Sequence, residues 1–493
     1  MSTTKFIKQL GGETIVYGLS ATVTRFIGIF LIPLYTRVFT PADYGIIALI
    51  ASFDGLITTF TVLGMDNASA RWFYVDTEGK PEVRKQVIST WFWFQSIVSI
   101  ITTIIVLGLS TSLADMMLNS PAMVGLIIIT SFTWPLNTFK KVLGNLLRYQ
   151  RRAWHTVFYS IATSLLTIGL TIFFVVILKS GLVGIYWAEL IALSVMSVVA
   201  VIILKDWISP GSFSFALLKP MLIFALPLVP ATIAGWVTAS ADRFILKAYE
   251  NTSEIGLYSV AATLASGMTL VIGAFQMAWG PFAFSIIDEP GSHRVYGKVF
   301  SLYFWLGCGL ATALTIFSPL ILYIFTTSQY AGAASSVAYL AFSSLAIGAT
   351  YIAALSCGIA KKSIPSSISI FVGAVVNTAL NFILIPRLGR NGAAIATLVA
   401  YATAAIYLFV AGQKLYPIPY RFRDAIVCFG FAWSLIGLDH FILPTWGIWP
   451  FLARLGMCFL FIPLALVLDV VRIEHIRSFS RMISQRFVWI STK

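Results

Sequence analysis

The sequence predicts an all-α integral membrane protein with about fourteen transmembrane helices and almost no soluble part. Three observations carry that prediction. Only 11% of the residues are charged, against 58% hydrophobic, whereas a soluble protein carries about 25% charged residues. So few charges cannot cover a water-exposed surface, and the surface must face lipid. The apolar residues also come in continuous runs of the length a helix needs to cross the hydrocarbon core, about 20 residues. Barrel strands would instead alternate in short segments. Finally, the basic residues fall almost wholly on one side of the resulting map.

The runs follow one another with short connections. The first, 12–38, comes after Lys5 and Lys8. It is too long for the apolar part of a signal peptide and is interrupted by Arg25, so it reads as an uncleaved span. Runs at 43–66, 87–109, 121–143, 154–178 and 182–204 complete a first set of six. A second set lies at 217–246, 254–278, 298–326, 334–360, 364–386 and 391–413. Two more follow at 421–439, the shortest, and 450–471. In the tail, 472–493, Ile473, Ile476, Phe479, Ile483, Phe487 and Ile490 stand at near-helical spacing between arginines. That pattern predicts a basic amphipathic helix lying on the membrane surface.

The loops test this map. Even-numbered loops, the two tails and the run ends beside them hold 25 of the 33 Lys and Arg residues, and odd-numbered loops hold only Lys179, Lys247, Arg387 and Arg390. The positive-inside rule then predicts that both termini are cytoplasmic. A wrong parity of spans would scramble the asymmetry. The net charge of +14 is thereby explained by topology and anionic lipid, with no nucleic acid needed. Cys308, Cys357, Cys428 and Cys458 all sit in apolar runs without a C-x-x-C pair, which points to small core residues rather than a disulfide framework or zinc site.

The chain repeats itself weakly. Thr40-Pro41-Ala42-Asp43-Tyr44-Gly45 opens the second span, and Asn251-Thr252-Ser253-Glu254-Ile255-Gly256 opens the eighth, 211 residues on. Gly181-Leu182-Val183-Gly184 and Gly389-Arg390-Asn391-Gly392 open the sixth and twelfth at an offset of 208. The agreement of the offsets predicts two related six-helix bundles, 1–204 and 217–413, with 421–471 as two additional helices and 472–493 as the cytoplasmic tail. Parallel repeats of this kind are typical of transporters, with the path between the halves.

No phosphate-binding loop is present, since Gly79-Lys80 is followed by Pro81 and Gly297-Lys298 by Val299. The four histidines lack metal-ligand spacing. What remains is charge at membrane depth, which is costly and faces a cavity or a partner. Arg25 and Asp54 flank the tight turn near residue 40 at similar depth. They read equally as an ion pair holding the hairpin or as a site that opens to an anion. Glu189 lies about 10 Å into its span at 1.5 Å per residue, either a proton carrier or a hydrogen-bonded structural group; its repeat counterpart is Thr397. Asp242 and Arg243 are neighbours near the end of the seventh span. Side chains adjacent on a helix point about 100° apart, so these two are expected not to pair with each other. Arg243 snorkels or faces the other half, and Arg37 and Arg454 read as snorkelling residues. Asn377 and Asn381 share one helix face and either glue helices together or contact sugar hydroxyls. Trp236 and Trp279 are candidates for stacking on sugars.

Three motifs carry a resemblance. Ile32-Pro33-Leu34-Tyr35-Thr36-Arg37 leading to Pro41-Ala42-Asp43-Tyr44-Gly45 is similar to the first hairpin of the polysaccharide-export (Wzx-type, O-antigen) oligosaccharide flippases. These belong to the MOP superfamily, which also holds MATE exporters and the lipid II flippase. Ala241 to Leu246 followed by Glu254 to Tyr258 resembles their mid-chain signature, and Asn377 to Thr397 their late one. The resemblance covers about residues 10–415. It implies a MATE-like V of two bundles and two extra helices in the cell inner membrane. It implies transport without a cofactor or enzymatic step, of an undecaprenyl-pyrophosphate-linked oligosaccharide, driven by a proton or sodium gradient or the membrane potential. A polysaccharide polymerase and a chain-length regulator are implied partners. Arg25 and Arg243 occupy the cationic cavity positions, and Arg suits a pyrophosphate because its guanidinium binds two oxygens at once. Two other readings are a MATE-type drug or cation exporter, which favours an acidic cavity, and a membrane polymerase or glycosyltransferase, which favours large external loops.

Overall fold

The computed structural model describes residues 31–75 and 80–469. Arg25, most of the first span and the amphipathic tail therefore lie outside the described residues. The rest is helix joined by short turns. Helix α1 ends at residue 38, and α2 (Pro41–Val62) follows at once. Its start is set by chemistry. Thr40 accepts from the Asp43 backbone N–H, Asp43 accepts from that of Thr40, and Pro41 needs no amide partner. Leu63 and Gly64 in left-handed conformation end α2 before the predicted limit and start α3 (Met65–Tyr74). Then come α4 (Pro81–Leu118), α5 (Val124–Tyr149), α6 (Ala153–Ile172), α7 (Gly181–Leu204), α8 (Phe215–Ala225) and α9 (Val229–Tyr249). A π-helical turn, Phe173–Ile177, closes α6.

Beyond these run α10 (Thr252–Ser285), α11 (Ser292–Ile316), α12 (Ser318–Phe325), α13 (Ala334–Ile359), α14 (Ile364–Leu415), α15 (Phe422–Ile442), α16 (Ile448–Phe459) and α17 (Phe461–Val467). Among the described residues, twelve helices are long and apolar enough to cross a membrane. Helix α14 accounts for two of the predicted spans. Gly389 sits at φ 53°, ψ −133°, a conformation open to glycine and closed to other residues. Asn377 and Thr397 would lie about 30 Å apart on a straight helix, yet their side chains are 3.4 Å apart. The helix therefore doubles back at Gly389. Counting both arms, and the first span of which only the end is described, the protein has the predicted all-α membrane architecture.

The described chain packs as two compact units. One holds the residues up to Thr263 with Phe325–Gly332 and Ile370–Ala400; the other holds Leu264–Ile324, Ala333–Ser369 and the chain from Tyr401 onward. In the first unit the repeat motifs meet. A Cβ on Gly45 would run into the Thr252 carbonyl oxygen, and a Cβ on Gly256 into that of Pro41. Gly45 and Gly256 are repeat mates, as are Pro41 and Thr252, so each contact is the image of the other. That reciprocity is the signature of a two-fold axis, here an approximate one.

In the second unit, α15 is tied to α11 by Ser301, whose hydroxyl donates to the buried Asp424 carboxylate at 2.7 Å. The α15–α16 hairpin is closed by Arg454. Its Nε donates to Asp439 Oδ1 at 2.7 Å, and its Nη atoms reach the carbonyls of Thr445 and Pro444. Arg454 is therefore a buried staple and does not snorkel. Cys308, Cys357 and Cys428 are buried thiols without disulfides.

Candidate functional site

Three helices of the first unit bring most of the sequence candidates together. Helix α9 contributes Asp242, only 1% exposed, and Arg243. Arg243 Nη1 donates to Asp242 Oδ1 at 3.1 Å and to the Ala239 carbonyl at 3.0 Å. The expectation that these neighbours do not pair was wrong. The flexible arginine arm folds back along its own helix and cancels the angular separation of the two backbones. Tyr258 of α10 donates its hydroxyl to Asp242 Oδ2, and the Arg243 guanidinium lies 5.4 Å from the centre of the Tyr258 ring. A buried carboxylate in lipid requires such partners.

The network continues into the doubled-back α14. Thr397 lies near the Tyr258 side chain, and its own hydroxyl donates to the Ala393 carbonyl at 3.0 Å. Thr397 accepts from Asn377 Nδ2 at 3.4 Å, and Asn377 Oδ1 accepts from Asn381 Nδ2 at 3.0 Å. Both asparagines are fully buried, and among the described residues Asn381 Oδ1 accepts no hydrogen bond. An orphaned amide oxygen at the end of a buried polar chain is an open acceptor for a proton donor or a cation. Among the described residues, no three His, Cys, Asp or Glu side chains converge as a metal cluster.

A second set lies further along α2. Asp54 Oδ1 accepts from Trp134 Nε1 of α5 at 2.6 Å. Glu189 of α7 is close enough to interact electrostatically with Asp54 and Lys140. Lys140 and Lys141 stand at the cytoplasmic end of the predicted run 121–143, and helix α5 carries them on to Tyr149; Lys140 is within electrostatic range of Asp54 and Glu189, and Lys141 pairs with Asp66 at 3.6 Å. Helix α2 connects the two sets. Its Tyr44 end lies within electrostatic range of Arg243, and Trp236 of α9 donates to the Ser52 carbonyl at 3.0 Å. Asp54 and Tyr44 are ten residues apart, about 15 Å along the helix.

Sequence reasoning missed Tyr258, Trp134, Lys140 and Thr397 as parts of these sets. Only Thr397 carried a signal, as the repeat counterpart of Glu189. Trp279, a candidate for sugar stacking, is instead buried in the second unit against Phe275, with ring centroids 5.8 Å apart.

The comparisons agree with this layout. A family model described as polysaccharide biosynthesis protein matches residues 34–335, more than half of the chain. The chain belongs to this family. The family's matched region contains Asp54, Glu189, Asp242, Arg243 and Tyr258, while Asn377 and Asn381 lie beyond it. Among solved structures, the chain is similar to the lipid II flippase MurJ in an inward closed conformation. The TM-score is 0.74 at 16% identity, covering 93% of this chain and 100% of that one. It is also similar to a multidrug resistance MATE family transporter of the MOP superfamily in its inward-facing conformation. There the TM-score is 0.67 at 19% identity, covering 81% of this chain and 94% of that one. An outward-facing conformation of a MATE family transporter scores 0.60 at 17% identity, covering 83% of this chain and 95% of that one. No curated protein matches the chain. These likenesses establish that this member of the polysaccharide biosynthesis family has the fold seen in MurJ and the MATE transporters.

Proposed function

We propose that this protein is a flippase that carries undecaprenyl-pyrophosphate-linked oligosaccharide units from the cytoplasmic to the outer leaflet of the inner membrane by alternating access. The observation that carries the reading is the pair of polar sets, Asp242 with Arg243 and Tyr258, and Thr397 with Asn377 and Asn381, on helices that cross the bilayer. Ion pairs and amides are held at that depth at a cost in solvation, and such groups mark substrate and ion pathways. The polysaccharide family and the likeness to a lipid II flippase support a lipid-linked glycan as cargo. Arg243 supplies a cation for its pyrophosphate, and Arg25 a second one. The charge asymmetry of the loops supports cytoplasmic termini.

For coupling, the candidates are the two carboxylates Glu189 and Asp242, acting on a proton or on sodium. The likeness to MATE transporters favours a second reading, export of a cationic drug.

The test is deletion of the gene with joint analysis of polyprenyl-linked lipids and surface polymer. The flippase reading expects loss of surface polymer, with single oligosaccharide units accumulating on the inner-leaflet carrier. Unpolymerised units exposed outside would indicate a polymerase. Unchanged glycans with altered drug sensitivity would indicate the exporter.

A further inference from the structure

In the second unit a groove runs between α10 and α11. It is lined by Met268, Val271 and Phe275 of α10 and by Leu302, Leu306 and Leu310 of α11. Its floor is fixed because α13 lies close beneath it. A Cβ on Gly307 would run into Leu345 of α13, and one on Gly348 into the Tyr303 hydroxyl. That hydroxyl donates to the Leu345 carbonyl at 2.7 Å, and the Tyr303 ring packs on Phe275 with centroids 5.0 Å apart. With its hydroxyl so used, Tyr303 leaves the groove no free polar group, and water gains nothing by filling it. Val271, Leu302 and Leu306 are 44%, 41% and 47% exposed, so the groove opens to the hydrocarbon around the protein.

Below the groove the same stripe of α11 turns basic. Lys298 stands one helical turn before Leu302, and Arg294 one turn before Lys298. Both are exposed, and neither side chain has an acidic or hydrogen-bonding partner among the described residues; Asp288 and Glu289 in the preceding turn make no ion pair with them. Lys361 and Lys362, just beyond α13, add two cations at this end, where Gly358 of α13 lies against Phe284 of α10. We propose that the α10–α11 groove, with Arg294 and Lys298, binds an anionic phospholipid of the inner leaflet. The two cations take its phosphate, and the groove takes one acyl chain. From Val299 to Leu310 the groove follows about 16 Å of helix. That is about half of a 30 Å hydrocarbon core, the depth of one leaflet. An acyl chain spans it, whereas an undecaprenyl chain is several times too long. At about 100 Å³ the groove is one chain wide. Its basic end belongs to the loops that the positive-inside rule places at the cytoplasmic leaflet, where anionic lipid lies.

The inference goes beyond the transport reading, and photolabelling of the purified full-length protein tests it without any cargo. The probe is a phosphatidylglycerol with a diazirine in its acyl chain, diluted into phosphatidylcholine vesicles that hold the protein, with labelled peptides mapped by mass spectrometry. The exposed stripe Ile97, Ile101 and Ile104 of α4 is the reference for lipid in passing contact. A site predicts that the groove peptides of α10 and α11 label at least about fivefold more than this stripe, because each cation beside an anionic headgroup raises occupancy about fivefold. Arg294→Gln/Lys298→Gln should bring the groove down to the reference level. Leu306→Trp, which fills the groove and keeps both cations, should do the same. The matching phosphatidylcholine probe should label groove and stripe alike. Groove labelling by phosphatidylglycerol that equals the stripe, or that survives Arg294→Gln/Lys298→Gln, overturns the site. Displacement of the probe by undecaprenyl phosphate at far lower concentration than by unlabelled phosphatidylglycerol also overturns it, since the groove then belongs to a carrier lipid.

Discussion

At the scale of single residues, Asp242 decides most. It is buried, and its two oxygens take Arg243 on one side and Tyr258 on the other. Asp242→Ala leaves a guanidinium without its carboxylate, and removal of one partner of a buried pair costs about 3–5 kcal/mol. Thermal unfolding in detergent should show that loss. Asp242→Asn, with a similar shape and no charge, should be milder in stability but lower transport at least about tenfold if the carboxylate takes part in coupling. Glu189 separates its two roles through Glu189→Gln. A proton carrier predicts transport that no longer responds to a pH gradient, and a structural carboxylate predicts an unchanged response. Both residues were visible in the sequence as charges too deep to be accidental. The aromatic partners of Asp242 and Asp54 were not, because Tyr258 and Trp134 look like ordinary aromatic residues until tertiary packing brings their polar ends to these two carboxylates. The pairing of Asp242 with Arg243 was misread for a related reason. Helical geometry separates backbones, and a long side chain undoes it.

At the scale of elements, hydropathy made nearly every helix legible because each had to supply its own apolar length. The reversal inside α14 shows the limit of reading helices from the folded chain alone. Two runs of ordinary span length predicted two helices, and the structure joins them through one glycine. Gly389→Ala should cost about 1–3 kcal/mol, since no residue with a Cβ takes that backbone conformation without strain. A lowered thermal midpoint checks this. The α15–α16 hairpin carries a parallel prediction. Arg454→Lys keeps the charge but cannot serve Asp439, Thr445 and Pro444 at once, so it should recover only part of the stability lost in Arg454→Ala. This staple was illegible because Asp439 sits in a run that otherwise reads as a short apolar span.

At the scale of the molecule, the repeat was legible only as two similar offsets, and the structure turns one of them into a contact. Gly45 and Gly256 meet each other's helices reciprocally, as an approximate two-fold rotation requires. Repeats related in this way are typical of transporters. Arg25 lies outside the described residues, and its role is a proposal: Arg25→Ala should abolish export while membrane levels of the protein stay normal. The cargo itself was never legible in the residues, since the lining amides and ion pairs suit a pyrophosphate or a sugar without naming either.

The most direct test of the flippase account is reconstitution. Purified protein in liposomes carrying an undecaprenyl-pyrophosphate-linked oligosaccharide on one leaflet should render that oligosaccharide accessible to a lectin on the other side. The account predicts accessibility that rises with wild-type protein, falls at least about tenfold with Asp242→Asn, and depends on an imposed ion gradient or potential. Accessibility no greater than in protein-free liposomes, under every gradient, would contradict it.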